Sequence, residues 1–214
     1  MRSEKKRKKS AMIFLAVLAV ILGYLLGSIP SAYLIGRFWG KVNLLREGDS
    51  HVSATAVYRK MGRVAFLVVL IMDAGKGILA VYLATLLSNS PPVLVAAAYA
   101  AVIGHCWPVY LRFRGGLGAV IIFGVLFALA WKEFLVGGAV ALILFFTTRK
   151  SSWSTYALLA AASLMLLIER EELIIALSPL GLIVIQLLKR FQTRKTSPAS
   201  GYKNELFDDL RRLR

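Results

Sequence analysis

The sequence predicts an all-α, polytopic integral membrane protein of about seven transmembrane helices. Three observations predict it. Of 214 residues, 58% are hydrophobic and only 18% charged, whereas a soluble domain carries about a quarter of its residues as charges. The apolar residues run in blocks near the roughly 20 residues that a spanning helix needs, without the strict alternation of a transmembrane β-barrel. The charges collect between these blocks, and successive turns alternate between basic and non-basic.

The first span is expected at residues 11–38 and the second at 64–87. The third runs over 92–111, where Pro108 ends or kinks the helix. Shorter spans follow at 117–131, 134–148, 153–168 and 173–188. They tilt little or extend into the flanking turns. Three regions result: a basic tail (1–10), the membrane domain (11–190) and a second basic tail (191–214). Within the last, residues 205–214 read equally as an amphipathic surface helix or a solvated tail.

Loop charges set the orientation. Arg37, Lys41, Arg46, Arg59, Lys60 and Arg63 follow span one, Arg112 and Arg114 follow span three, and Arg149 and Lys150 follow span five. The intervening turns are uncharged, near neutral or acidic, so the positive-inside rule places the basic loops and the C-terminus in the cytoplasm. An odd number of spans then puts the N-terminus outside, against the pull of Arg2, Lys5, Lys6, Arg7, Lys8 and Lys9. The seven-span reading takes several loops to outvote one tail. The opening residues resemble a signal peptide, but the apolar run is too long and no cleavage site follows, so it is read as an uncleaved span. The expected location is a membrane crossed several times, with the basic loops toward the cytoplasm.

The net charge of +16 suits anionic lipid better than nucleic acid. The cations lie in tails and turns, and no nucleic-acid-binding pattern accompanies them. The single cysteine, Cys106, excludes an internal disulfide and a cysteine-only metal site. No metal or cofactor is expected.

Five places could carry chemistry. In Phe113-Arg114-Gly115-Gly116-Leu117-Gly118, glycines allow close backbone approach and arginine offers a fork of donors matched to phosphate oxygens. The loop Gly48-Asp49-Ser50-His51-Val52-Ser53-Ala54-Thr55-Ala56-Val57-Tyr58-Arg59 gathers hydroxyls, a histidine and an arginine. It could cradle an anion, or Ser50 or Ser53 could simply cap a helix. Arg149-Lys150-Ser151-Ser152 is a third basic turn. Asp73 and Lys76 share one face of span two at i, i+3. Insertion there costs about 2.5–3.5 kcal/mol per charge unless paired, so they form an ion pair or line a cavity. His105 could act as a base, but the sequence offers it no evident carboxylate partner, which favours a structural role.

These pieces occur in an order that resembles the bacterial acyl-phosphate:glycerol-3-phosphate acyltransferases, the PlsY family, over nearly the whole membrane region. The resemblance rests on Gly27-Ser28-Ile29-Pro30-Ser31-Ala32-Tyr33, on Ala54-Thr55 with Arg59, and on Asp73-x-x-Lys76-Gly77. Gly104-His105-x-Trp107-Pro108-Val109-Tyr110, Phe113-x-Gly115-Gly116-x-Gly118 and Arg149-x-x-Ser152 complete it. It implies seven spans with an external N-terminus and acyl transfer from acyl phosphate to glycerol 3-phosphate, giving lysophosphatidic acid. His51, Arg59 and Ser152 would be catalytic. Ser50, Ser53, Thr55, Arg112, Arg114, Gly115, Gly116, Gly118 and Arg149 would bind substrate, with Asp73, Lys76 and His105 structural or lining the cavity.

The departures concern the substrate-holding positions. The family pattern Gly-Ser-Gly-Asn-x-Gly-Ala-Thr-Asn is degraded across residues 48–56, with Asp49 introduced. The family's Gly-Gly-Lys-Gly lysine is Leu117, and its C-terminal histidine and asparagine segment is replaced by Lys189-Arg190-Phe191-Gln192-Thr193-Arg194. Two functions therefore stand: an active acyltransferase with a remodelled site, or an impaired member that serves as a lipid-binding or scaffold protein or acts on another head group. A transporter is a distant third, since no discontinuous helix pair or repeat is evident.

Overall fold

A computed structural model describes residues 2–42, 44, 53–148 and 151–196. Eight α-helices and no strand occur among the described residues: α1 (Arg2–Ser28), α2 (Ser31–Phe38), α3 (Ala54–Leu87), α4 (Pro91–Cys106), α5 (Ala119–Leu129), α6 (Trp131–Thr148), α7 (Ser151–Ile168) and α8 (Leu173–Thr196). A 3₁₀ turn, Val109–Leu111, follows α4.

Seven apolar segments result. Five are long and apolar enough to cross a membrane: Ser3–Phe38, Ala54–Leu87, Pro91–Leu111, Trp131–Thr148 and Leu173–Thr193. The helices Ala119–Leu129 and Trp153–Ile168 are apolar but shorter. The polarity is that of a membrane protein. Met12, Phe14, Ile71, Ile143 and Leu188 face outward, while Asp73, Lys76, Gln186 and Lys189 are inside.

The boundaries depart from the sequence reading for identifiable reasons. The first span is two helices, because Pro30 has no N–H to donate and the chain breaks at residues 29–30. The basic tail, instead of ending before the span, continues α1 as helix back to Arg2 with Lys5, Lys6, Arg7, Lys8 and Lys9 exposed. The second span begins ten residues early, at Ala54, with a kink where Gly62 takes φ +81°. The third stops at Cys106 ahead of Pro108. Lys132 and Glu133, read as a turn, form the start of α6. Residues 205–214 lie outside the described residues.

Helix α4 is the centre of the bundle: α1, α3, α5 and α8 all pack on it. Against α1 the two backbones almost touch. A Cβ on Gly23 would come within 2.6 Å of the Ala97 carbonyl oxygen, and one on Gly27 would overlap the Ala101 carbonyl outright. Small residues at such a seam let dispersion forces act between backbones, in a solvent that offers no hydrophobic drive between helices. At the far side, Pro179 inside α8 has no N–H to give the Ile175 carbonyl. Ser178 Oγ donates to that oxygen at 2.8 Å, and Tyr99 of α4 donates its hydroxyl to the Ser178 carbonyl at 3.0 Å. The short α5 is almost wholly enclosed, with Ile121, Ile122, Val125 and Leu126 buried.

The acidic turn between α7 and α8 carries a pH-sensitive contact. Glu169 is exposed there, and Glu133 of α6 is buried. The neighbouring Glu133 carboxyl, through a shared proton and like-charge repulsion, raises the Glu169 pKa above its ordinary value. The folded form therefore holds the proton more tightly than the unfolded chain. The contact contributes in full below the ordinary carboxylate value and is lost as pH rises through the raised one. Thermal unfolding between pH 4 and 7, about the window of an elevated carboxyl, should show the midpoint falling with pH. Glu169→Gln, a permanent donor, should flatten that dependence; an unchanged slope would show the contact to be inert.

Candidate active site

The site grows from the end of α4. The sequence Gly104-His105-Cys106-Trp107-Pro108 carries the helix to its last turn, and proline then forces the chain out of it. The 3₁₀ turn follows, after which Arg112 and Phe113 adopt left-handed backbone, φ 51° and 64°. Such a conformation costs a non-glycine residue about 1–2 kcal/mol. Two backbone bonds hold it: Phe113 N–H donates to the Pro108 carbonyl at 2.9 Å and Arg114 N–H to the Leu111 carbonyl at 3.2 Å. The reversal leaves Arg112, Phe113 and Arg114 exposed and turns residues 115–118 back onto α4.

Glycine is required in this return segment by contact. A Cβ on Gly115 would overlap the His105 carbonyl oxygen and the Pro108 ring, and one on Gly116 would lie 2.7 Å from His105 Nε2. Gly118, at φ +79°, is the N-cap of α5. A glycine loop running into a helix N-terminus, flanked by two exposed arginines, presents N–H groups and positive charge together. That is the chemistry of an anion site.

Beneath the loop lies the charged centre. Lys76 Nζ is 2.8 Å from Asp73 Oδ1, and both side chains are buried. The ammonium also donates to the Ile29 carbonyl at 2.8 Å, satisfying an acceptor left open where α1 breaks. His105 Nδ1 lies 3.6 Å from the same Asp73 oxygen, an electrostatic contact longer than a hydrogen bond. The carboxylate partner that the local sequence did not offer His105 is thus supplied by α3. Its ring stands between the ion pair on one side and Gly116 on the other, as the floor of the loop.

The first hydrophilic loop enters α3 through Ser53, whose Oγ accepts from Ala56 N–H at 3.2 Å as an N-cap. That is the structural alternative for Ser53. Thr55 is half-buried and Arg59 exposed in the following turns. Leu111, next to Arg112, packs in one apolar cluster with Ala32, Leu44, Ala56 and Val57. The Arg59 turn and the glycine loop therefore sit at the same end of the bundle. Ser50, His51 and Arg149 lie outside the described residues, as does the Ser152 side chain. The start of α7 is nonetheless tied to this end: Arg190 donates to the Tyr156 hydroxyl at 3.4 Å, while Trp107 Nε1 donates to Gln192 Oε1 at 2.6 Å.

Sequence reasoning missed three contributors. Tyr24 donates its hydroxyl to the Trp107 carbonyl at 2.9 Å. Gln192 anchors the Trp107 indole. Lys189, placed just past the last span, is buried with its Nζ 5.2 Å from the centre of the Trp107 ring. A signal existed for the last, because Gln186, Lys189 and Thr193 recur at i, i+3 and i+7 on one face of an otherwise apolar helix. Among the described residues, no three metal-ligating side chains cluster.

The chain is similar to known proteins in sequence and in fold. Residues 17–195 match the family model described as glycerol-3-phosphate acyltransferase. A glycerol-3-phosphate acyltransferase of Synechococcus sp. (strain JA-2-3B'a(2-13)) is 45% identical over 116 residues, 54% of this chain and 58% of that protein. One from Rubrobacter xylanophilus is 46% identical over the same shares. The chain thus spans less than two thirds of the length of these curated relatives. The crystal structure of PlsY (YgiH), an integral membrane glycerol 3-phosphate acyltransferase, in its glycerol 3-phosphate form superposes with a TM-score of 0.73 at 28% identity. That match covers 86% of this chain and 92% of the other. Its lysophosphatidic acid form gives 0.72 at 27%, with the same coverage.

Proposed function

Because the chain belongs to the glycerol-3-phosphate acyltransferase family, we propose that it moves an acyl group from acyl phosphate to glycerol 3-phosphate at the cytoplasmic face of a bacterial inner membrane. The glycerol hydroxyl oxygen attacks the acyl carbon and the bond from that carbon to the phosphate oxygen breaks. Inorganic phosphate leaves, the hydroxyl proton passes to it or to solvent, and lysophosphatidic acid remains. No covalent intermediate with the protein is needed. The protein's task is to hold two phosphorylated reactants in line and to stabilise charge on the departing phosphate, terms that can supply much of a barrier.

One observation carries this reading: the glycine loop at 115–118 folds over His105 and opens onto the N-terminus of α5, with Arg112 and Arg114 exposed beside it. In this proposal Arg59, Arg112, Arg114 and Arg149 hold phosphate. Thr55, Ser50, Ser53, Ser152 and the glycine backbone give neutral contacts, and His51 replaces a family asparagine. Anionic lipid surrounds the basic tails.

Purified protein supplied with palmitoyl phosphate and glycerol 3-phosphate should release lysophosphatidate and phosphate in equal amounts. Product no greater than the enzyme-free blank would overturn the reading. Leu117 favours the second reading, a member that binds lipid without turnover, because it removes the loop cation. Binding of lysophosphatidate without its synthesis would support that reading.

A further inference from the structure

We propose that Lys189, entering from α8, is the cation that binds a phosphate oxygen of the reactants in place of the lysine absent at Leu117. The inference rests on the acyltransferase reading for its reactants and on the following placement for its geometry.

Lys189 is 3% exposed. Among the described residues no carboxylate pairs with it; its closest recorded partner is the Trp107 ring at 5.2 Å. A cation–π contact restores only part of the hydration that a buried ammonium gives up. Such a group persists when an anion meets it. Lys76, equally buried, shows the contrast, since it has both Asp73 and a backbone carbonyl.

The position faces the loop. Lys189 lies within electrostatic reach of His105 and Cys106. Those are the residues on which Gly116 and Gly118 rest: a Cβ on Gly118 would sit 3.0 Å from Cys106 Sγ. One turn earlier on the same face, Gln186 is 4% exposed, and its Oε1 has no hydrogen-bond partner. One helix face thus carries an unpartnered buried oxygen, Gln186 Oε1, and a cation met only by an aromatic ring, beside a loop built for anions. Residue 117 belongs to that loop and Lys189 comes to it from α8, so a cation lost from the loop is supplied by the helix.

The test uses the full-length protein in detergent, with Lys189→Gln, Lys189→Met and Lys189→Arg. Inorganic phosphate should raise the unfolding temperature of the wild type and of Lys189→Arg, but not of the neutral variants. In the coupled assay, a neutral variant should raise KM by about 10–100-fold, the worth of one charge-assisted contact, with a smaller change in kcat. Whether glycerol 3-phosphate or palmitoyl phosphate shows the rise identifies the phosphate that Lys189 holds. Adding Leu117→Lys to Lys189→Gln should return KM toward the wild-type value.

The failures separate. If the wild type turns over and the neutral variants keep its KM values and its phosphate shift, the Lys189 assignment falls and the activity stands. If phosphate stabilises the wild type and not the neutral variants, yet no lysophosphatidate forms, the assignment stands and the acyltransferase reading falls. Failure of every neutral variant to fold, with phosphate present, would make Lys189 a structural cation and overturn the proposal.

Discussion

Asp73→Ala is expected to destabilise the protein by about 3–5 kcal/mol, the usual result of deleting one partner from a buried ion pair. The carboxylate neutralises Lys76 at 2.8 Å and lies 3.6 Å from His105. Without it an ammonium is left uncompensated at membrane depth, where charge is costly. The damage should spread, because Lys76 also holds the end of α1 through the Ile29 carbonyl and His105 supports Gly116. Lys76→Met added to Asp73→Ala should recover much of the loss by removing the orphan charge. Denaturant unfolding of the single and double variants in detergent measures both. A single variant within about 1 kcal/mol of the wild type, the scale of an exposed pair, would show the pair to be dispensable.

Gly115→Ala should lower turnover by about 10²-fold, the scale that a misplacement near 1 Å can cause. The new methyl group would fall on the His105 carbonyl and the Pro108 ring. Neither can rotate away, so the loop itself must lift. The effect on stability should be smaller than that of Asp73→Ala, because no charge is uncovered. Gly138→Ala on α6 is the matched control: nothing lies within 4 Å of its Cβ position, and activity should be retained. Equal initial rates for the two variants in the palmitoyl phosphate assay would disprove a positional role for the loop.

The sequence disclosed what depends on local chemistry. Hydrophobic run length gave the seven apolar segments, and the i, i+3 spacing of Asp73 and Lys76 gave their ion pair. Gly115 and Gly116 were marked by composition, and contact supplies the reason for them. What it withheld was set by tertiary packing. His105 and Asp73 are 32 positions apart and meet only because α3 and α4 do. The helix around the kink at Gly62 carries Arg59, Lys60 and Arg63, so hydropathy reads that stretch as loop and starts the span too late. Lys189 was given no role because a basic residue just past a span looks interfacial, and only the path of α8 beyond residue 188 shows it to be interior.

The bare seam between α1 and α4 constrains how the protein is made. Gly27 meets its partner at Ala101, a stretch of chain that a ribosome needs roughly 4–15 s to produce at about 5–20 residues per second. Throughout that interval the groove on the first helix has lipid or an insertase against it instead of its mate. Biogenesis is therefore ordered by stereochemistry: α1 must wait, unmated, until α4 emerges.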